Sequence, residues 1–149
     1  MMKSLKFRLV FASIMFSLLI FTTSCKKDSD ANQGEIDRGL IEAYILENGI
    51  SGEFTETGLF YKISEPGDEV HPTLYSTVTV TYAGYTLSGQ AVDDGKYITF
   101  ELYKLILGWQ EGIQMIGEGG KIKLIIPSNL AYGKEVLVFD ITLHYFSNN

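Results

Sequence analysis

Between Leu105 and Gly133 the chain runs LILGWQEGIQMIGEGGKIKLIIPSNLAYG. This segment narrows the possible folds more than any other. Trp109, the only tryptophan, sits between Gly108 and Gly112, and Ile113 and Ile116 continue a short helical pattern. Isolated helices under about 12 residues are marginal in water, so this one must be wrapped by other elements. Gly117-Glu118-Gly119-Gly120 then makes a turn, and Lys121 to Ile126 alternates as a strand up to Pro127. Trp109 is therefore expected to press against a sheet as the floor of something.

The sheet is readable on either side. Leu59 to Ser64 is a predicted strand closed by the turn Glu65-Pro66-Gly67-Asp68. Ser76 to Thr86 alternates most clearly, with Val78, Val80 and Tyr82 on one face and Thr77, Thr79 and Thr81 on the other. Ser88-Gly89 marks a turn, Ala91 to Asp94 leads into Gly95, and Tyr97 to Leu102 resumes the alternation. Val136 to Phe146 closes the sheet, with Leu137, Phe139, Ile141 and Leu143 on one face. The expected class is α+β: an antiparallel sheet wrapped around one short helix that covers one face. A further helix precedes it, because Ile36, Leu40, Ile41, Tyr44 and Ile45 recur at helical spacing before the stop Asn48-Gly49.

The N-terminus reads as an address. Lys3, Lys6 and Arg8 precede an apolar run from Leu9 to Phe21, shorter than the roughly 20 residues of a spanning helix. Small residues Thr22-Thr23-Ser24 then precede Cys25, the only cysteine, which excludes an intrachain disulfide and a thiolate metal cluster. The segment resembles the lipobox of bacterial lipoproteins, with Thr22 where leucine is preferred. That resemblance implies a signal peptide over 1–24 and lipidation of Cys25, which would hold the protein on a membrane surface. Lys26 in place of aspartate after the cysteine points to the outer membrane by analogy with lipoprotein sorting.

The expected organisation is a tether over 25–34, a helix over 35–49 and a domain over 57–146. Cleavage before Cys25 removes three basic residues, leaving nine Lys/Arg against 18 Asp/Glu, a balance near −9. Such a chain is not built for nucleic acid.

The ordered motifs are Val78-x-Val80-x-Tyr82, Gly84, Gly89, Asp93, Phe100-x-Leu102, Leu105-Ile106-x-Gly108-Trp109-x-Glu111-Gly112, Ile126-Pro127, Leu130-Ala131-Tyr132-Gly133 and Leu137-Val138-Phe139-Asp140. Together they resemble an FKBP-type peptidyl-prolyl isomerase from about Gly58 to Phe146. The resemblance implies a reaction without metal or cofactor. Rotation about an X–Pro bond is opposed by a barrier of about 18–20 kcal/mol from amide resonance, and an apolar pocket can favour the twisted amide. It also implies proline-containing polypeptides as partners and a monomeric protein in the cell envelope.

By the same resemblance, Trp109 is the pocket floor and Tyr82, Phe139, Leu105 and Ile106 its walls. The Ile106 N–H holds a substrate carbonyl, the Tyr132 hydroxyl is a second donor, and Asp93 lies beside the reacting amide. Val92, Ile98 and Phe100 are further substrate-contacting positions. His71 and His144 read as ordinary polar residues.

Two departures concern single residues: Val92 stands where the family usually has phenylalanine, and Ile98 where an aromatic is common. The third is larger. Only Lys134 and Glu135 follow Gly133 before the last strand, in place of a long loop over the pocket. A pocket so opened is shallower and wetter, which weakens each polar contact in it. Three readings stay open: a lipid-anchored isomerase that assists folding of exported proteins, a catalytically weak or inactive binding or chaperone module on the same fold, and a structural lipoprotein whose Glu35–Asn48 helix docks to an assembly.

Overall fold

The computed structural model describes residues 26–148, with side chains from residue 32 on. The signal segment and Cys25 lie outside the described residues. The elements are α1 (Lys26–Glu47), β1 (Glu53–Phe54), β2 (Phe60–Glu65), β3 (Thr77–Thr86), β4 (Ala91–Glu101), α2 (Leu107–Ile113), β5 (Lys121–Ile126) and β6 (Leu137–Ser147). Short 3-10 turns occupy Leu102–Lys104 and Ser128–Leu130. The strands form one antiparallel sheet in the order β1-β2-β5-β6-β3-β4. The α+β class, the short helix and the preceding helix are as the sequence reads.

Period-two alternation divides the side chains between two cores. On the inner face Ile122, Leu124 and Ile126 of β5 join Phe139, Ile141 and Leu143 of β6 beneath α2. Ile125 and Val138 point the other way and, with Phe60 and Val136, pack around Ile41 of α1. Both faces of the sheet are therefore covered where one cover was expected, and α1 is the second. Residues from Ala31 onward form a single compact unit.

Two differences from the sequence reading concern α1. It begins at Lys26, inside the stretch expected to be a tether. Once packing has nucleated a helix, each added residue contributes a hydrogen bond, so a polar segment can extend it without an apolar face. The helix also presents positions 37, 41, 44 and 45 to the sheet, leaving Ile36 and Leu40 about half exposed. Asp37, which the apolar stripe did not include, is buried.

The other difference lies in β4, which runs unbroken through the predicted lead-in at Ala91–Asp94. Asp93, Asp94 and Gly95 pair with Gly84, Ala83 and Tyr82 of β3. The register then slips, so that Lys96 and Tyr97 share the space opposite Thr81. Tyr97 takes φ +55°, donates its N–H to Thr81 Oγ1 at 3.3 Å and stacks on His144 at 4.1 Å. This bulge changes the phase of the strand. Asp93 and Phe100 are an odd number of residues apart, and a regular strand would send them to opposite faces. The bulge brings both to the inner one.

Candidate functional site

The site is built on α2. Gly108 and Gly112 let the helix lie directly on β5. A Cβ at Gly108 would stand 2.5 Å from Ile126 Cγ2, and one at Gly112 2.5 Å from Leu124 Cδ2. Trp109, between them, is thereby lowered into the sheet and is only 4% exposed. Tyr82, Phe139 and Phe100 meet it edge-to-face, with centroids 5.0, 5.3 and 6.2 Å away at 85°, 85° and 90°. Such T-shaped contacts are each worth about 0.5–1.5 kcal/mol beyond area burial. The Phe139 ring lies across β3 at Gly84, where a Cβ would come within 2.3 Å of its Cε1. The indole N–H of Trp109 is buried without a hydrogen-bond partner among the described residues.

Above the indole is a cavity of about 230 Å³ lined by Tyr82, Asp93, Phe100, Lys104, Leu105, Ile106, Trp109, Tyr132 and Phe139. Ile106 precedes α2 in extended conformation, and its carbonyl accepts the N–H groups of Trp109 and Gln110 at 3.0 and 3.1 Å. Its own N–H has no partner among the described residues. The Gln110 side chain fixes the approach to it, donating to the carbonyls of Leu105 at 2.7 Å and Tyr103 at 3.2 Å.

Across the cavity the Tyr82 hydroxyl donates to Asp93 Oδ2 at 2.8 Å. Burial, followed by this bond, pushes the Tyr82 phenol up to about 12. Tyr82 is thus a neutral donor that holds the carboxylate of Asp93 in place at physiological pH. Tyr132 closes the rim. Its side chain is 67% exposed and its hydroxyl makes no hydrogen bond among the described residues. The cavity therefore offers an aromatic floor, apolar walls and two unengaged donors. Its two charged side chains are Asp93 and Lys104, too few for a metal-ligand set.

A family model for FKBP-type peptidyl-prolyl cis-trans isomerases matches residues 68–144. The chain belongs to this family. It is 37% identical over 134 residues to a probable FKBP-type peptidyl-prolyl cis-trans isomerase FkpA of Neisseria meningitidis serogroup B, a match over 79% of this chain and 47% of the relative. It is 35% identical over 136 residues to FkpA of Escherichia coli K12, over 82% of this chain and 50% of that one. The chain thus spans about half the length of these relatives. The crystal structure of FkpA from Escherichia coli superposes with a TM-score of 0.67 at 29% identity, covering 97% of this chain and 75% of that one. A peptidyl-prolyl isomerase structure from Pseudomonas syringae gives 0.67 at 25% identity, over 85% and 99%.

In this FKBP-type domain the cavity gathers Tyr82, Asp93, Phe100, Leu105, Ile106, Trp109, Tyr132 and Phe139. It does not include Val92 or Ile98. Val92 lines a second cavity of about 230 Å³, shared with Tyr132, Lys134, Glu135 and Leu137. Val92 falls at a second slip in the β3–β4 register, left without a partner between Asp93 opposite Gly84 and Ala91 opposite Tyr85. Ile98 follows the bulge and stays at the rim, 40% exposed, with its Cγ1 facing Gly95 beside the Tyr82 ring. Lys104 and Gln110 are contributors that the sequence reading missed. Both lie next to motif positions, and their polarity alone gave no signal.

Proposed function

We propose that the protein is a peptidyl-prolyl cis-trans isomerase acting on proline-containing polypeptides. The observation that carries this reading is the cavity over Trp109, with the free Ile106 N–H at its wall. A proline ring seated on the indole would put its imide bond among aromatic faces and little water, an environment that disfavours the charge-separated planar amide. The Ile106 N–H would hold the carbonyl of one flanking residue, and Tyr132 would donate to another. Asp93, fixed by Tyr82, would lie beside the rotating amide. No bond in the substrate is broken, so positioning and electrostatics are all that the site must supply.

Isomerisation of a short proline peptide by the purified protein tests this reading. The expected result is a rate above the uncatalysed one, lost in Trp109→Ala; a rate equal to the uncatalysed one overturns it.

A second reading rests on Tyr132 and the short segment after it. With Tyr132 so exposed and Val92 outside the main cavity, the site could bind proline segments without accelerating rotation. Quenching of Trp109 fluorescence by the same peptide, with no gain in rate, would favour the binding module.

The location belongs to the same proposal. The basic and apolar leader with Cys25 supports export and a lipid anchor on the envelope, at the outer membrane, and folding of exported proteins as the task. Among the described residues no helix is long and apolar enough to cross a membrane. Mass spectrometry that found an unmodified thiol at Cys25 in the cell-derived protein would overturn the anchor.

A further inference from the structure

The carboxylate of Asp37 is 1% exposed, yet no cation pairs with it among the described residues. It is held by hydrogen bonds alone. Oδ2 accepts from the Ser128 N–H at 2.7 Å and the Ser128 hydroxyl at 2.6 Å, and Oδ1 accepts from Gln33 Nε2 at 2.7 Å. Burying a carboxylate is costly unless such bonds satisfy it, so its presence on α1 calls for a reason.

Ser128 supplies one. Its carbonyl accepts the N–H of Ala131 at 3.1 Å and the N–H of Gly133 at 2.8 Å. These are the two residues flanking Tyr132. The Tyr132 side chain is two-thirds exposed and its hydroxyl is unbonded among the described residues, so few contacts of its own fix where it points. The segment after it, Lys134-Glu135, is too short to fold back over it. The backbone of 131–133 must therefore set the place of the hydroxyl, and that backbone hangs on Ser128.

We propose that Asp37 is a positioning residue for Tyr132: α1 clamps the Ser128–Leu130 turn through a buried carboxylate and so sets one wall of the cavity. The N-terminal helix is on this account part of the site, although it lies outside the stretch matched to the family. The role of Tyr132 in substrate binding rests on the isomerase reading above; the clamp itself does not.

Two measurements on the full chain separate these. The first is amide hydrogen exchange in wild type and Asp37→Ala. Exchange at Ala131 and Gly133, whose N–H groups the Ser128 carbonyl holds, is expected to quicken at least tenfold, while that of Ile122 and Leu124 in β5 stays unchanged. The second is a double-mutant cycle on kcat/KM. Asp37→Ala is expected to lower it severalfold through KM in the wild-type background and to have no effect in Tyr132→Phe. A merely structural role would give the same loss in both. If Asp37→Ala does not fold, Ser128→Ala, which keeps the N–H bond and loses only the hydroxyl, takes its place with a smaller effect in the same direction.

Faster exchange at Ala131 and Gly133 in a protein with no isomerase activity would support the clamp and overturn the catalytic reading. Unchanged exchange at Ala131 and Gly133 would overturn the clamp, as would equal losses in the two backgrounds of an active protein.

Discussion

Tyr82 donates its hydroxyl to Asp93 across 2.8 Å, linking β3 to the edge strand β4 at the mouth of the cavity. Because burial and this bond both favour the neutral phenol, the folded pKa of about 12 lies above the ordinary value of 10. The sign follows: the contribution is fully present below pH 10 and is lost as pH rises through 12. Difference titration of phenolate absorbance between wild type and Tyr82→Phe is expected to isolate a step near 12. A step near 10 would contradict the buried bond. Asp93→Ala should lower the midpoint only part of the way, because burial is the larger cause.

Replacing Trp109 by alanine removes the floor together with three edge-to-face contacts. The expected loss of stability is about 3–5 kcal/mol, in the range for large aromatic residues taken from cores. Circular dichroism during urea unfolding is the appropriate probe, since the variant loses the only tryptophan. A loss under about 1 kcal/mol would mean that the indole is not part of the core.

Glycines inside helices give predictions of opposite sign. Gly39 on α1 has open space where a side chain would begin, with nothing within 4 Å of a Cβ placed there. Gly39→Ala should therefore stabilise by about 0.5–1 kcal/mol through helix propensity and the unfolded chain. Gly108→Ala and Gly112→Ala would gain the same propensity but meet Ile126 and Leu124 at 2.5 Å. Overpacking of that kind costs about 1–3 kcal/mol, so both should destabilise, and Trp109 should be lifted with the helix. Thermal unfolding of the three variants checks the order. If Gly108→Ala raised the midpoint, α2 would not be seated on β5 as described.

Local pattern carried the sequence reading where it succeeded. Val78-Val80-Tyr82 and Leu137-Phe139-Ile141-Leu143 announce an inner face because side-chain direction in a strand depends only on parity. It fails where the structure departs from a local rule. The bulge at Lys96–Tyr97 reverses parity in β4, and no residue there is the glycine that would have marked a positive φ. β1, only two residues long, pairs with β2 and has no period to detect. The Asp37–Ser128 clamp joins residues 91 positions apart, and an aspartate on a polar-rich helix reads as a solvated side chain. The Trp109 floor was legible because two flanking glycines and a helix too short to stand alone already demanded close packing.

Val92 offers the most direct test of whether the open rim limits activity. It lines the cavity shared with Tyr132, Lys134, Glu135 and Leu137, beside the one over Trp109, and is 45% exposed. A phenylalanine there would fill that space with a ring, back the exposed Tyr132 and narrow the mouth of the site. Additional apolar contact worth about 1 kcal/mol corresponds to a roughly fivefold gain in kcat/KM, expressed mainly in KM. Ile98→Phe, at the rim beside Tyr82, should give less because it meets neither Tyr132 nor the second cavity. Kinetics of the two variants with one proline peptide would decide the matter. Equal effects, or none from Val92→Phe, would mean that the wall at 92 does not meet the substrate and that the short segment after Gly133 alone sets the openness of the site.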